Sequence, residues 1–252
     1  MSEAPKTVTA GILVIGNEIL SGRTRDSNMH HLAGKLTEMG IRLREVRVIP
    51  DDMDTIVATV NEMRARFTYL FTSGGIGPTH DDITADAVAK AFGLGIGPHP
   101  EAVARMERYY PPGQFNEARR RMARTPDGAA LIDNPVSVAP GFRVGNVFVM
   151  AGVPAVFEAM VATIRSELVG GPKLLSRSVI GRLPEGQIAG PLRAIAERYA
   201  DIDIGSYPAY RNGQPTTTIV LRSIDDALLA EAAEAVAAMM RAEGAEPQVA
   251  TT

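Results

Sequence analysis

The chain of 252 residues contains no cysteine and no tryptophan. Without thiols there is no disulfide framework, no zinc–thiolate centre and no sulfur nucleophile. A Walker lysine, a GxSxG elbow and zinc-binding spacing are also missing, so attack by water or by a phosphate is favoured over covalent catalysis. The formal net charge of -3 provides no general attraction to nucleic acid or to an anionic membrane. No apolar run reaches the roughly 18 residues needed to span a bilayer, and the opening MSEAPKTVTA lacks the long apolar core of a secretion signal. The expectation is a soluble cytoplasmic protein with neither nucleic acid nor membrane as partner. What is present, 45% hydrophobic and 22% charged residues, is ordinary globular usage with room for one large or two modest domains.

Val8–Ile15 is a continuous apolar run, the signature of a strand buried on both faces of a parallel sheet. A polar turn over 16–24 leads to Asp26 and Ser27, either of which can cap a helix ending at Gly40. A strand over 41–49, a helix over 52–66 and a strand near 67–71 follow. This alternation implies βαβ units and a largely parallel sheet. Residues 99–124 read as helical and polar, 142–150 as a hairpin about Gly145 and Asn146, and 154–168 as a closing helix. Gly170, Gly171 and Pro172 punctuate the chain as a boundary would. Two domains are therefore expected, 1–171 and 172–252, the second with strands near 175–183, 202–207 and 216–224 and helices over 185–199 and 225–241.

Chemistry concentrates in residues 72–84, TSGGIGPTHDDIT. Gly74, Gly75 and Gly77 let backbone amides approach an anion with no Cβ in the way, and the helix start behind them carries partial positive charge. Asp81 and Asp82 at the same place would repel a phosphate unless a cation lies between. Ligands of such sheets sit at the carboxyl ends of strands. There the glycine loop would meet Gly16, Asn17 and Glu18 after the first strand and Asp51 and Asp52 after the second, where one of the pair also serves as a helix cap. Asn28 offers a donor and an acceptor to a ligand, while Ser27 fits a cap as well as a ligand contact. Exposed loop histidines such as His80 are more often solvent-facing than metal-bound, and the cluster Arg119, Arg120, Arg121 and Arg124 reads first as a solvated face, second as a contact for phosphates.

Residues 11–28 (GILVIGNEILSGRTRDSN), the glycine loop, Asn134-Pro135 with Ala139-Pro140-Gly141, and Gly152-Val153-Pro154 together resemble the competence/damage-inducible protein A (CinA) family, whose amino-terminal domain belongs to the MoaB/Mog molybdopterin-binding superfamily. The resemblance implies an α/β fold, a three-layer α/β/α arrangement about a mostly parallel sheet, with a smaller α+β second domain. It implies a phosphate- or nucleotide-binding set of Gly16, Asn17, Glu18, Ser27, Asn28, Ser73, Gly74, Gly75, Ile76, Gly77, Thr79 and Asn134. Asp51 and Asp82 match catalytic aspartates, with Asp51, Asp81 and Asp82 around a divalent metal such as magnesium, optionally beside a monovalent cation. Ile76 stands where the molybdopterin enzymes carry threonine, and Asp81 where they carry arginine. Residues 173–244 resemble the second CinA domain with Leu183-Pro184-Glu185-Gly186 at its helix start, and no carboxyl-terminal deamidase domain is expected.

The function expected is metal-dependent hydrolysis of a nucleotide pyrophosphate such as ADP-ribose or FAD. Molybdopterin binding or adenylylation is the first alternative, and a non-catalytic nucleotide- or pterin-binding protein the second. A small-molecule nucleotide or pterin is the expected partner, in a homo-oligomer.

Overall fold

The computed structural model describes residues 7–251. The chain divides into two compact units, the first running to Gly171 and the second beginning at Pro172.

The first unit contains β1 (Val8–Ile15), α1 (Asn17–Leu20), α2 (Asn28–Glu38), β2 (Ile41–Ile49), α3 (Met53–Arg66), β3 (Tyr69–Ser73) and α4 (Thr84–Phe92). It continues with β4 (Ile96–Pro98), α5 (Pro100–Tyr109), α6 (Glu117–Arg121), β5 (Arg124–Pro126), β6 (Ala130–Ile132), β7 (Gly141–Val144), β8 (Val147–Met150) and α7 (Pro154–Ile164). Its main sheet has the order β2-β1-β3-β8-β7-β6. The pairs β1–β2, β1–β3 and β3–β8 are parallel, and only β7 runs against its neighbours. β1 is buried from Ala10 onward because both of its faces are covered. On one face Ile12, Val14, Phe71 and Phe148 pack with Leu32 and Leu36 of α2 and Phe157 and Met160 of α7. On the other, Leu13, Ile15 and Leu70 pack with Ile56, Val60 and Met63 of α3 and Val88 of α4. This is the expected three-layer fold, with helices on both faces of a mostly parallel sheet.

The structure differs from the sequence expectation in detail. The polar turn after β1 contains the short helix α1. The polar stretch after residue 99 is two helices, separated at Pro111-Pro112-Gly113, where Gly113 takes φ +79. Proline removes the donor and restricts the residue before it, so a single helix cannot run through.

The second unit contains β9 (Leu175–Gly181), α8 (Glu185–Arg198), β10 (Asp203–Arg211), β11 (Gln214–Ser223), α9 (Asp226–Ala242) and β12 (Gln248–Thr251), in the sheet order β10-β11-β9-β12. Val179, Ile219 and Leu221 pack with Ile188 of α8 and Leu229, Val236 and Met240 of α9. An antiparallel sheet with helices on one face is the expected α+β arrangement.

A charge network ties the edge strand β2 to α3. Arg47 donates through Nη1 to Glu62 Oε2 at 2.7 Å and through Nε to Glu45, and Arg66 adds a second contact to Glu62 at 2.9 Å. The Arg47 hydrogen bonds hold the Glu62 carboxyl down at about 2. A carboxyl with a lowered value in the folded state stabilises the fold above its ordinary value, and that contribution disappears as pH falls toward the folded value. Glu62→Gln is expected to lower the melting temperature slightly at pH 7 and to match the parent at pH 2, in calorimetric scans across that range.

Candidate functional site

The site is built at the carboxyl ends of β1, β2 and β3. After β3 the chain enters the glycine loop, where Gly74 and Gly75 take φ +106 and +71. A Cβ on Gly74 would lie 2.2 Å from the Ile15 carbonyl oxygen, and one on Gly75 would lie 2.0 Å from Thr84 Oγ1. Glycine is therefore required at both positions by geometry as well as by conformation. Thr84, fully buried at the start of α4, holds the loop: its hydroxyl donates to Gly74 O at 3.0 Å and its N–H to Gly75 O at 3.0 Å. Ile76 packs partly against the core beneath, so the residue found in place of threonine anchors the loop.

The two pairs of adjacent aspartates separate by role. Asp52 caps α3, accepting from Thr55 N–H at 2.9 Å and from its hydroxyl at 2.6 Å, and these bonds lower its carboxyl below the ordinary value. Asp51 turns the other way and accepts the Asn17 N–H on Oδ2 at 2.9 Å, linking the end of β2 to the start of α1. Asp82 accepts the Thr79 N–H on Oδ2 at 2.8 Å and the Thr79 hydroxyl on the same oxygen, closing the turn that precedes α4. Neither Asp81 nor Asp82 is the cap of α4, whose N-cap is Ile83. Asp81 is solvent-facing, its carboxyl lowered by the nearby Thr79 hydroxyl and by its own backbone amide. His80 is exposed.

Asp51 and Asp82 thus each commit one oxygen to the backbone, and Oδ1 of each makes no hydrogen bond among the described residues. These are hard donors of the kind that magnesium takes. Among the described residues no group of three or more His, Cys, Asp or Glu stands ready to hold an ion. The expected triad of Asp51, Asp81 and Asp82 is therefore not assembled as a closed cage. The topology gives the reason, because β2 and β3 flank β1 and strands two places apart are about 10 Å apart. An ion here would take its remaining ligands from phosphate oxygens and water, the usual arrangement for magnesium.

The other expected residues differ in their surroundings. Glu18 folds its carboxylate against Gly16, close enough that a Cβ there would lie 2.5 Å from it. Ser27 is exposed and makes no cap bond; Asp26 does, accepting the Met29 N–H at 3.1 Å. Asn28 is buried, and its Nδ2 donates to Ser73 Oγ and to Gly152 O, both at 2.8 Å. Its Oδ1 is buried and has no partner. Asn134 departs from the ligand-binding expectation. Its Oδ1 accepts from Val136 and Ser137 N–H and its Nδ2 donates to Ser137 Oγ and Ala139 O, so the amide is consumed within its own loop. That loop places Val138 at φ +66, which a β-branched residue rarely adopts.

The sequence reading gave no role to Thr84, whose signal is a threonine at the helix start behind the glycine loop, or to the carbonyl of Gly152, named there only within the Gly152-Val153-Pro154 motif. It also left Arg121 undivided within a cluster of arginines. Arg121 lines a narrow cleft with Ile76, Gly77, Asp82 and Asp86.

Comparison with known proteins agrees with this architecture. Residues 11–170 match the family described as "Probable molybdopterin binding domain", and residues 173–249 match "FAD synthase, middle domain". A protein of Thermococcus kodakarensis is 36% identical over 214 residues, covering 79% of this chain and 85% of its own. A CinA-like protein of Geobacter sp. is 40% identical over 164 residues, 62% of this chain; the match spans 40% of that relative's length. The crystal structure of a CinA protein of unknown function from Thermoplasma acidophilum superposes with a TM-score of 0.60 at 32% identity, covering 64% of this chain and 99% of that one. Among the described residues no helix is long and apolar enough to cross a membrane. With the first unit matched almost end to end, the chain belongs to the family of probable molybdopterin binding domains, in its CinA-like branch.

Proposed function

We propose that the first unit is a metal-dependent pyrophosphatase acting on a nucleoside diphosphate linked to a second group. The observation that supports this reading is the pair of uncommitted carboxylate oxygens, on Asp51 and Asp82, at the strand ends beside the glycine loop. The loop amides would seat one phosphate, with Asp82 and Asp51 directing hard oxygens toward the diphosphate and orienting a water for attack at phosphorus. A divalent ion bound there supplies charge neutralisation and polarises the phosphoryl group. Water adds to one phosphorus, the bridging P–O bond breaks, and ADP-ribose yields AMP and ribose 5-phosphate. The second unit's likeness to a domain of FAD synthase is the reason for including FAD.

The test is product analysis with ADP-ribose and FAD under magnesium and other divalent ions. The parent is expected to release AMP, and Asp82→Asn to lose at least about 100-fold in kcat, as removal of one electrostatic participant does. Absence of AMP under every metal would end the enzymatic reading.

The family description favours a second reading, in which the ligand is molybdopterin. Protein purified with a pterin that fluoresces after oxidation, and without AMP release, would decide for it.

A further inference from the structure

The glycine loop between Thr72 and Thr84 contains no lysine or arginine and two aspartates. Its own side chains therefore oppose a phosphate that its amides attract, and a diphosphate requires positive charge from another element. The arginine cluster near α6 contributes to a cleft beside the loop, which Arg121 and Arg124 line with Gly77 and Asp82, and its members are not equivalent. Arg119 lies over the Tyr110 ring at 4.3 Å and donates to Gln114 O. Arg120 pairs with Glu107 at 3.2 Å and covers the Phe115 ring at 4.7 Å. Arg124 is held by Asp86 at 2.8 Å.

Arg121 alone of the cluster makes no hydrogen bond, ion pair or ring contact among the described residues, yet it is half-buried in the cleft beside Gly77 and Asp82. Its backbone is fixed from both sides. Met122 N–H bonds Arg119 O at 3.1 Å, and the fully buried Ala123 accepts the His99 N–H at 2.8 Å. A guanidinium projected from a rigid point into a partly desolvated cleft, with no partner, is prepared for a ligand anion. Its planar fork matches two phosphate oxygens at once.

We propose that Arg121 grips the phosphate adjacent to the one seated on the glycine loop, and so makes this site selective for ligands with two linked phosphates over monophosphates. The inference rests on the reading of this cleft as a nucleotide-diphosphate site and names the side chain that sets its substrate class. Asp82 and Asp86 share the cleft, but Asp86 is paired with Arg124, and Asp82, held by Thr79 on one oxygen, forms no ion pair with Arg121 among the described residues.

The experiment is calorimetric titration of the full chain with ADP-ribose, AMP and inorganic pyrophosphate, with and without magnesium, alongside KM and kcat for ADP-ribose. Arg121→Ala is expected to weaken ADP-ribose and pyrophosphate about 10- to 100-fold, the scale of a charge-assisted bidentate contact. AMP affinity stays within about twofold, kcat changes less than KM, Arg121→Lys falls between the two, and Arg120→Ala behaves as the parent. Unchanged ADP-ribose affinity in Arg121→Ala, or an equal loss for AMP, overturns the proposal. A parent that never hydrolyses ADP-ribose defeats the enzymatic reading only, because pyrophosphate binding still separates parent from variant; a parent that binds neither ligand overturns both. If Arg121→Ala does not fold, Arg121→Gln makes the same comparison.

Discussion

Gly74→Ala is expected to lower the stability of the first unit by about 4 kcal/mol, from about 1–3 kcal/mol of backbone strain and a similar amount of overpacking. At φ +106 the residue lies outside the left-handed region that asparagine or aspartate tolerates, and essentially only glycine adopts it. The added methyl would sit 2.2 Å from Ile15 O, a backbone atom at the end of the buried strand β1 that cannot rotate away. Relief would have to come from shifting the loop, which is held by Gly74 N–H to Met150 O at 3.1 Å and by the Thr84 hydroxyl. Gly93→Ala is the control. It also has positive φ, +65, but nothing lies within 4 Å of its added Cβ, so its loss is about 1 kcal/mol. In differential scanning calorimetry the Gly74 variant should melt about 8–16 °C below the parent, at about 2–4 °C per kcal/mol. A loss no larger than that of Gly93→Ala would show that the loop is free to move.

The alternation of β1, α2, β2, α3, β3 and α4 was legible because a strand covered on both faces must be apolar throughout, as β1 is, and each parallel crossover requires a helix between strands, whereas the short strands β4, β5 and β6 were not read. Local structure without a buried face left no such trace. α1 buries none of its residues and β12 is exposed along its length, so neither carries a periodicity. β10 extends past the expected end at residue 207, through Pro208, because it is an edge strand whose missing donor faces no neighbour. Asn212 and Gly213, both at positive φ, then turn directly into β11, a hairpin signal that the strand boundaries had obscured.

The glycine loop was legible for a similar reason: glycine and acid in one short segment have few structural uses together. The assignment of roles within it was not. Asp51 and Asp52 are the same residue type in adjacent positions, and only the direction each side chain takes, one toward Asn17 and one toward Thr55, separates the group proposed for the ligand from the helix cap. The arginines near α6 were sorted by partners such as Glu107 and Asp86, which only the folded chain brings to them.

Asn28→Asp is expected to destabilise the first unit by about 3 kcal/mol at pH 7, despite a change of one atom. Asn28 begins α2 and is 3% exposed, and its Nδ2 joins that helix to the end of β3 through Ser73 and to the segment after β8 through Gly152. In the variant an oxygen replaces Nδ2 at 2.8 Å from the Gly152 carbonyl, where two acceptors face each other. The Ser73 hydroxyl can rotate to donate, but the carbonyl cannot. An ionised carboxylate would also have to leave water, and a buried polar group left without its partner costs about 1–3 kcal/mol, more when it is charged. The helix N-terminus favours a negative charge by about 0.3–1 kcal/mol, up to about 2, so destabilisation wins. Burial raises the carboxyl of the new aspartate above its unfolded value of about 3.9. The folded protein then binds more protons than the unfolded chain, so stability falls as pH rises between the two values. Asn28→Ala removes the same donors without the charge and should lose about 2 kcal/mol with the pH dependence of the parent. Scans at pH 5 and pH 7 distinguish the cases: the gap between Asn28→Asp and the parent widens with pH, while that of Asn28→Ala stays level. A level gap for both would mean that the amide is not enclosed as its contacts indicate.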